Sequence, residues 1–129
     1  MAIYVDSSAI VKLVVREPES AALRRYLRRR RPLVSSALAG AEVPRALLPA
    51  GEEAVSRGRS VLRRFDLVRV NDRVLDAAGL LLPAELRTLD AVHLATAALL
   101  GEEVRALVTY DGRMAEAAKR LDYRVVAPE

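Results

Sequence analysis

Four acidic residues of this chain stand where a carboxylate needs a physical reason. Asp6 interrupts the apolar stretch AIYVDSSAIVKLVV, directly after the run Ile3-Tyr4-Val5. Asp111 repeats that arrangement, following LVTY and preceding Gly112. Glu42 lies in SALAGAEVPRALL, where its helical neighbours Leu38, Ala39, Arg45 and Ala46 are largely apolar. Asp90 opens the run LDAVHLATAALL, and His93 shares its helical face. A charge beside apolar surface costs free energy unless it is solvated, paired or bound to a metal. Carboxylates gathered in one place repel and take up protons, and a divalent cation relieves both effects. Oxygen ligands alone favour Mg2+ or Mn2+ over zinc or copper. The chain has one His and no Cys, so a zinc site of the usual kind is excluded.

Each acid also has an ordinary explanation. Asp6 and Asp111 suit helix N-caps or turns. Glu42 would serve as an exposed charge on a polar helix face. Asp90 suits the first turn of a helix, where the dipole favours an anion. His93 would serve as a packed or pairing core histidine. What the four share is position, at or near the carboxyl ends of strands. The other acids, such as Glu52, Glu53, Glu102 and Glu103, have polar or loop-like surroundings.

The elements that must hold these residues follow from apolar runs and their punctuation. Ile3–Val5 reads as a buried strand and 7–17 as a helix. A second helix is expected over 17–31, with Pro18 near its start. Residues 32–36 read as a strand, and Ser36 caps a helix over 37–48. Pro44 lies inside that helix, where it removes a hydrogen bond and crowds the carbonyl of Gly40; a kink or a shorter helix is expected. Residues 52–65 form a helix weakened by Gly58, and 67–70 a strand. Asn71 or Asp72 caps a helix over 73–82. Thr88 caps 89–100, which Gly101 stops. Residues 106–110 form a strand, 112–121 a helix and 123–127 a last strand. Such alternation predicts a three-layer α/β/α sandwich around a mostly parallel sheet of about five strands. Ligands in such sheets bind beyond the strands' carboxyl ends, where Asp6 falls.

The totals bound the rest. At 129 residues the chain suits one domain, residues 1–129, large enough to bury a core without disulfides. Hydrophobic residues make up 52% and aromatics only 4%, so the core is built from Ala, Val and Leu. The amino terminus does not read as a signal peptide, and no apolar run approaches the length of a membrane span. A soluble, cytoplasmic protein is expected. The formal charge is +4, and the only lysines are Lys12 and Lys119. Arginine suits phosphate, because its planar fork donates paired hydrogen bonds; an Ala/Arg/Leu-rich composition is also ordinary for a GC-rich genome. A basic chain with an acidic metal pocket makes sense for a polyanionic substrate.

The segments YVDSSAIVKLVVREPES, SSALAGAEVPRALL, RTLDAVHLATAALL and LVTYDGRMAEAAKRLDYRVVAPE resemble, in order, the conserved blocks of PIN-domain proteins. The likeness is greatest to the VapC-type ribonuclease toxins of toxin–antitoxin pairs, and it spans all but roughly residues 50–85. It implies that Asp6, Glu42, Asp90 and Asp111 surround one or two Mg2+ or Mn2+ ions. Asp6 and Asp90 would be the main ligands, while Asp111 and Glu42 would complete the shell or accept a proton from water. Ser7 and Thr109 fall at the family's hydroxyl positions, where they would orient ligands or water. The implied activity is metal-assisted cleavage of RNA by an endonuclease. A cognate VapB-type antitoxin and a homodimer are the implied partners. Arg45 could meet the RNA backbone or pair with Glu42. The arginine run at 24–31 would splay around a helix, as a solvated face or an antitoxin contact as readily as an RNA patch.

Three other readings compete. A signalling receiver domain needs an acid pair after the first strand and a lysine near the last; only Asp6 and no such lysine are present. A haloacid-dehalogenase-like phosphatase needs an Asp where this chain has Ser8. A catalytically inactive PIN-like module that binds RNA or a protein partner is opposed by the intact set of four acids.

Overall fold

Five strands give the chain its frame, and all of them run parallel. A computed structural model describes residues 1–129. Its elements are β1 (Ala2–Val5), α1 (Ser7–Lys12), α2 (Ser20–Leu27), β2 (Leu33–Ser36), α3 (Ala39–Leu47), α4 (Glu52–Leu62), β3 (Asp66–Val68), α5 (Asp72–Gly79), α6 (Thr88–Leu100), β4 (Val104–Val108), α7 (Gly112–Arg120) and β5 (Val125–Val126), with one-turn 3-10 helices at Leu48–Ala50 and Gly101–Glu103. The strand order is β3-β2-β1-β4-β5.

β1 is central because both faces of it are covered. Ile3 and Val5 join a cluster with Ala9 and Ile10 of α1, Leu23 and Leu27 of α2, Val43 and Leu47 of α3 and Val61 of α4. Ala2 and Tyr4 point the other way, into a cluster with Leu94 and Ala97 of α6 and Met114 and Ala117 of α7. α5 lies outside α6 and packs Val74 and Ala78 onto Ala91, Val92 and Ala95. The predicted three-layer α/β/α sandwich is therefore present, with α1–α4 on one face and α5–α7 on the other. Strands covered on both faces need no polar alternation, which is why β1 and β2 are buried throughout.

The helices are shorter than their apolar patterns suggest. α1 ends at Lys12, not residue 17, because Ser20 ties the following turn: its hydroxyl donates to the Val15 carbonyl and accepts from the Glu17 amide. α2 ends at Leu27, so Arg28–Arg31 lie in its exit turn and not on a helix face. Ser36 holds the turn before α3 by accepting from the Leu38 amide at 3.1 Å, and the N-cap position is Leu38. Pro44 sits inside α3, which runs without a break to Leu47. Asn71, not Asp72, caps α5. Arg87, not Thr88, holds the N-cap position of α6. Gly101 does stop α6, with φ +59° where its amide closes the last turn.

The chain runs outward from β1 through β2 to β3, then crosses back to β4 and continues to β5. The direction reverses between β1 and β4, which leaves a crevice beyond their carboxyl ends. Asp6 directly follows β1, and Thr109 and Asp111 follow β4.

Candidate active site

Asp6 caps α1 from the carboxyl end of β1, so capping leaves it at the crevice. Its Oδ1 accepts from the Ala9 amide at 2.9 Å and from the Ser8 hydroxyl at 2.8 Å. Its Oδ2 accepts from the Thr109 hydroxyl at 2.5 Å. Thr109 in turn accepts from the Asp111 amide at 3.0 Å, so one hydroxyl joins the two strand ends. Asp6 is 1% exposed, and burial pushes its carboxyl above the usual range against the pull of those three hydrogen bonds and of His93.

Asp111 divides its oxygens in the same way. Oδ1 caps α7 by accepting from the Arg113 and Met114 amides, at 2.9 and 3.1 Å. Oδ2 accepts from Arg87 Nη2 at 3.3 Å. Asp90 sits in the first turn of α6, and its Oδ2 is a buried oxygen without a hydrogen-bond partner. Arg87 Nε lies 3.5 Å from that oxygen, an ion pair lacking hydrogen-bond alignment. Burial, and then the neighbouring Asp111, push the Asp90 carboxyl up, and Arg87 and His93 only partly offset them.

Glu42 projects from the first turn of α3 and is held from α1 and α6. Its Oε1 accepts from the Ser7 hydroxyl at 2.7 Å and from His93 Nε2 at 2.6 Å. With the carboxylate accepting, His93 carries its proton on Nε2, and Nδ1 accepts from the Tyr4 hydroxyl at 2.8 Å. Burial is the largest influence on Glu42 and raises its pKa, but His93 and Ser7 together outweigh it and hold the carboxyl below its ordinary value. A Tyr4–His93–Glu42 chain thus fixes the orientation of this acid. The alternative pairing of Arg45 with Glu42 does not form; Arg45 is exposed on α3 and makes no ion pair.

The structure brings Asp6, Asp90 and Asp111 to the crevice, joined by Thr109 and Arg87, and sets Glu42 beside it with Ser7 and His93. As they stand, no three His, Asp or Glu side chains converge tightly enough to enclose a cation. The donor chemistry nonetheless fits a hard divalent ion. It is all oxygen, and it includes a buried carboxylate oxygen on Asp90 that has no hydrogen bond and lies beside a second acid. Two contributors escaped the sequence reading. Tyr4 looked like plain core, and its link to His93 spans most of the chain. Arg87 was legible in principle, as a cation three positions before Asp90.

Comparison with known proteins shows the family. A family model described as "PIN domain" matches residues 3–120. Ribonuclease VapC46 of Mycobacterium tuberculosis is 67% identical over 127 residues, covering 98% of each chain. Ribonuclease VapC35 of the same species is 42% identical, covering 98% of this chain and 96% of its own. Among solved structures, Mycobacterium tuberculosis VapC20, described as a Sarcin-Ricin loop cleaving toxin, superposes with a TM-score of 0.73 at 17% identity, over 89% of this chain and 94% of its own. A toxin–antitoxin complex from Klebsiella pneumoniae gives 0.74 at 20% identity over 98% of each chain. The chain belongs to the PIN-domain family and, within it, to the VapC proteins.

Proposed function

We propose that this chain is an endoribonuclease dependent on Mg2+ or Mn2+, the toxin of a toxin–antitoxin pair. The observation that carries the reading is the Asp90 Oδ2, buried without a hydrogen bond next to Asp111 at the β1/β4 crevice, with Asp6 buried at the end of β1. Such oxygens are costly in a folded protein unless a cation uses them. The VapC46 and VapC35 relatives carry the name ribonuclease, which supports RNA as the substrate class.

Asp6 and Asp90 would be the main ligands, with Asp111 and Glu42 completing the set. A bound divalent ion supplies Lewis acidity and ionises water near neutral pH. Thr109 and Ser8 fix the Asp6 carboxylate so that it does not turn when substrate enters. Glu42 is kept ionised by His93 and Ser7 through Oε1 alone, which leaves Oε2 to accept a proton from the attacking water. Arg45, exposed and without an ion pair, would be free to meet the RNA backbone.

A single nuclease unit over residues 1–129 and a cytoplasmic location complete the reading; no helix is long and apolar enough to cross a membrane. Two surfaces suit protein partners. Leu75, Leu80 and Leu82 are exposed together at the end of α5, an apolar patch suited to a second copy of this chain. A groove between α2 and α4 is lined by Leu27, Phe65, Arg28, Arg31 and Arg64, which suits an acidic, apolar segment of an antitoxin. The test is incubation of the purified chain with total RNA in Mg2+, in Mn2+ and in EDTA, alongside Asp6→Asn. Cleavage is expected with either ion and absent in EDTA and in the variant. Cutting that persists equally in EDTA would refute the metal-dependent reading. Binding of RNA without cutting in any lane would favour the inactive-module alternative.

A further inference from the structure

Arg87 is the only arginine or lysine paired with any of the four acids. Its backbone is fixed in extended geometry at the start of α6, with φ −66° and ψ 148°. Its arm is 67% exposed and rests between Asp90 Oδ2 at 3.5 Å and Asp111 Oδ2 at 3.3 Å. Those are the two oxygens the fold leaves over, since Asp111 Oδ1 is committed to capping α7 and Asp90 Oδ2 has no hydrogen bond. The guanidinium is thus held by one long hydrogen bond to Asp111 and an unaligned ion pair to Asp90, and exposed pairs of this kind are weak. A divalent ion held by Asp90 and Asp111 would compete with the guanidinium for those oxygens. Repulsion between the two cations would favour release of the arm. Its backbone anchor keeps the freed guanidinium at the crevice rim. The anion that arrives there with the substrate is a phosphate, for which the planar fork is the matching donor.

We propose that Arg87 is a two-position arm: it neutralises Asp90 and Asp111 in the metal-free protein, and once displaced it binds the phosphate backbone of the RNA at the scissile site. The proposal rests on the metal-dependent nuclease reading and adds a substrate-binding residue outside the set of four acids.

The test compares wild type with Arg87→Gln and Arg105→Gln. Arg105 is exposed near the amino end of β4, remote from the crevice, and controls for loss of one positive charge. Mn2+ affinity is measured without RNA, by the electron paramagnetic resonance of free Mn2+, and the initial rate of total-RNA cleavage is measured at limiting RNA. Arg87→Gln should bind Mn2+ about fivefold more tightly than wild type, the scale of one weak ion pair no longer competing. It should cleave RNA about tenfold more slowly, the scale of one charge-assisted hydrogen bond. Arg105→Gln should match wild type in both. Unchanged or weaker Mn2+ binding by Arg87→Gln, or an unchanged rate, overturns the two-position arm alone. Wild-type protein that binds no Mn2+ overturns the nuclease reading as well.

Discussion

At the scale of single residues, the acids at the strand ends each do two jobs with two oxygens. One oxygen of Asp6 and one of Asp111 cap the helix that follows, and the other faces the crevice. This is why sequence alone left capping and metal binding as rivals: a carboxylate after a parallel strand and before a helix caps with one oxygen and keeps the second for another partner. The Tyr4–His93–Glu42 chain was illegible for a different reason. Its members are separated by 89 and 51 positions, and no local spacing records such a contact. The site also stores instability. Asp90 has its carboxyl pushed up by burial and by Asp111, so the folded state holds that proton more tightly than the unfolded chain does. Stability is therefore unaffected at pH below the ordinary carboxylate range and is lost as pH rises through it toward the higher folded value. Asp90→Asn removes the ionisation. At pH 7 without metal, its melting temperature should exceed wild type by about 3 °C, roughly 1 kcal/mol in a domain this long. The gain should vanish near pH 3. Thermal melts across that range would refute the assignment if Asp90→Asn were no more stable than wild type at pH 7.

At the scale of elements, type and order were readable and lengths were not. Apolar runs flanked by turn residues located every strand, because parallel strands covered on both faces advertise themselves. Helix ends depended on side chains acting across turns, such as Ser20 on Val15 and Glu17, which composition does not reveal. Gly58 is the instructive case. By propensity it weakens α4, yet a Cβ there would run into Leu47 Cδ1 and meet Val43 at contact distance, both buried on α3. The glycine is what lets the two helices approach. Gly79, at the end of α5, has open space around it and no positive φ. Gly79→Ala should therefore stabilise by about 0.5 kcal/mol through helix propensity and unfolded-state entropy. Gly58→Ala should destabilise by about 1 kcal/mol, because overpacking outweighs the same propensity gain. Urea titrations of the two variants should move in opposite directions from wild type; a shared direction would show that propensity, not packing, governs Gly58.

At the scale of the whole molecule, the net charge of +4 does not say where the positive charge is used. Arg24, Arg28, Arg31 and Arg64 flank a groove with Leu13, Leu27, Leu33 and Phe65. Leu33 opens β2, so this groove lies toward the amino end of the sheet, while the acids lie beyond its carboxyl ends. Field strength falls over about 8 Å at physiological ionic strength, so charges at one end of the sheet scarcely act at the other. The basic groove and the acidic crevice are thus electrostatically separate surfaces, and the positive charge paired with the acids at the crevice is that of Arg87. The double variant Arg28→Gln with Arg31→Gln should consequently cleave RNA within about twofold of wild type at 0.15 M salt, where screening isolates the two ends. At low salt the screening length grows to about 30 Å, and the same variant should fall behind wild type as long-range attraction of the polyanion weakens. Rates measured from about 0.01 to about 0.2 M salt, roughly the range over which that length shrinks severalfold, decide the matter. A defect of the double variant that persists undiminished at 0.2 M salt would place the groove on the RNA path itself and remove the separation.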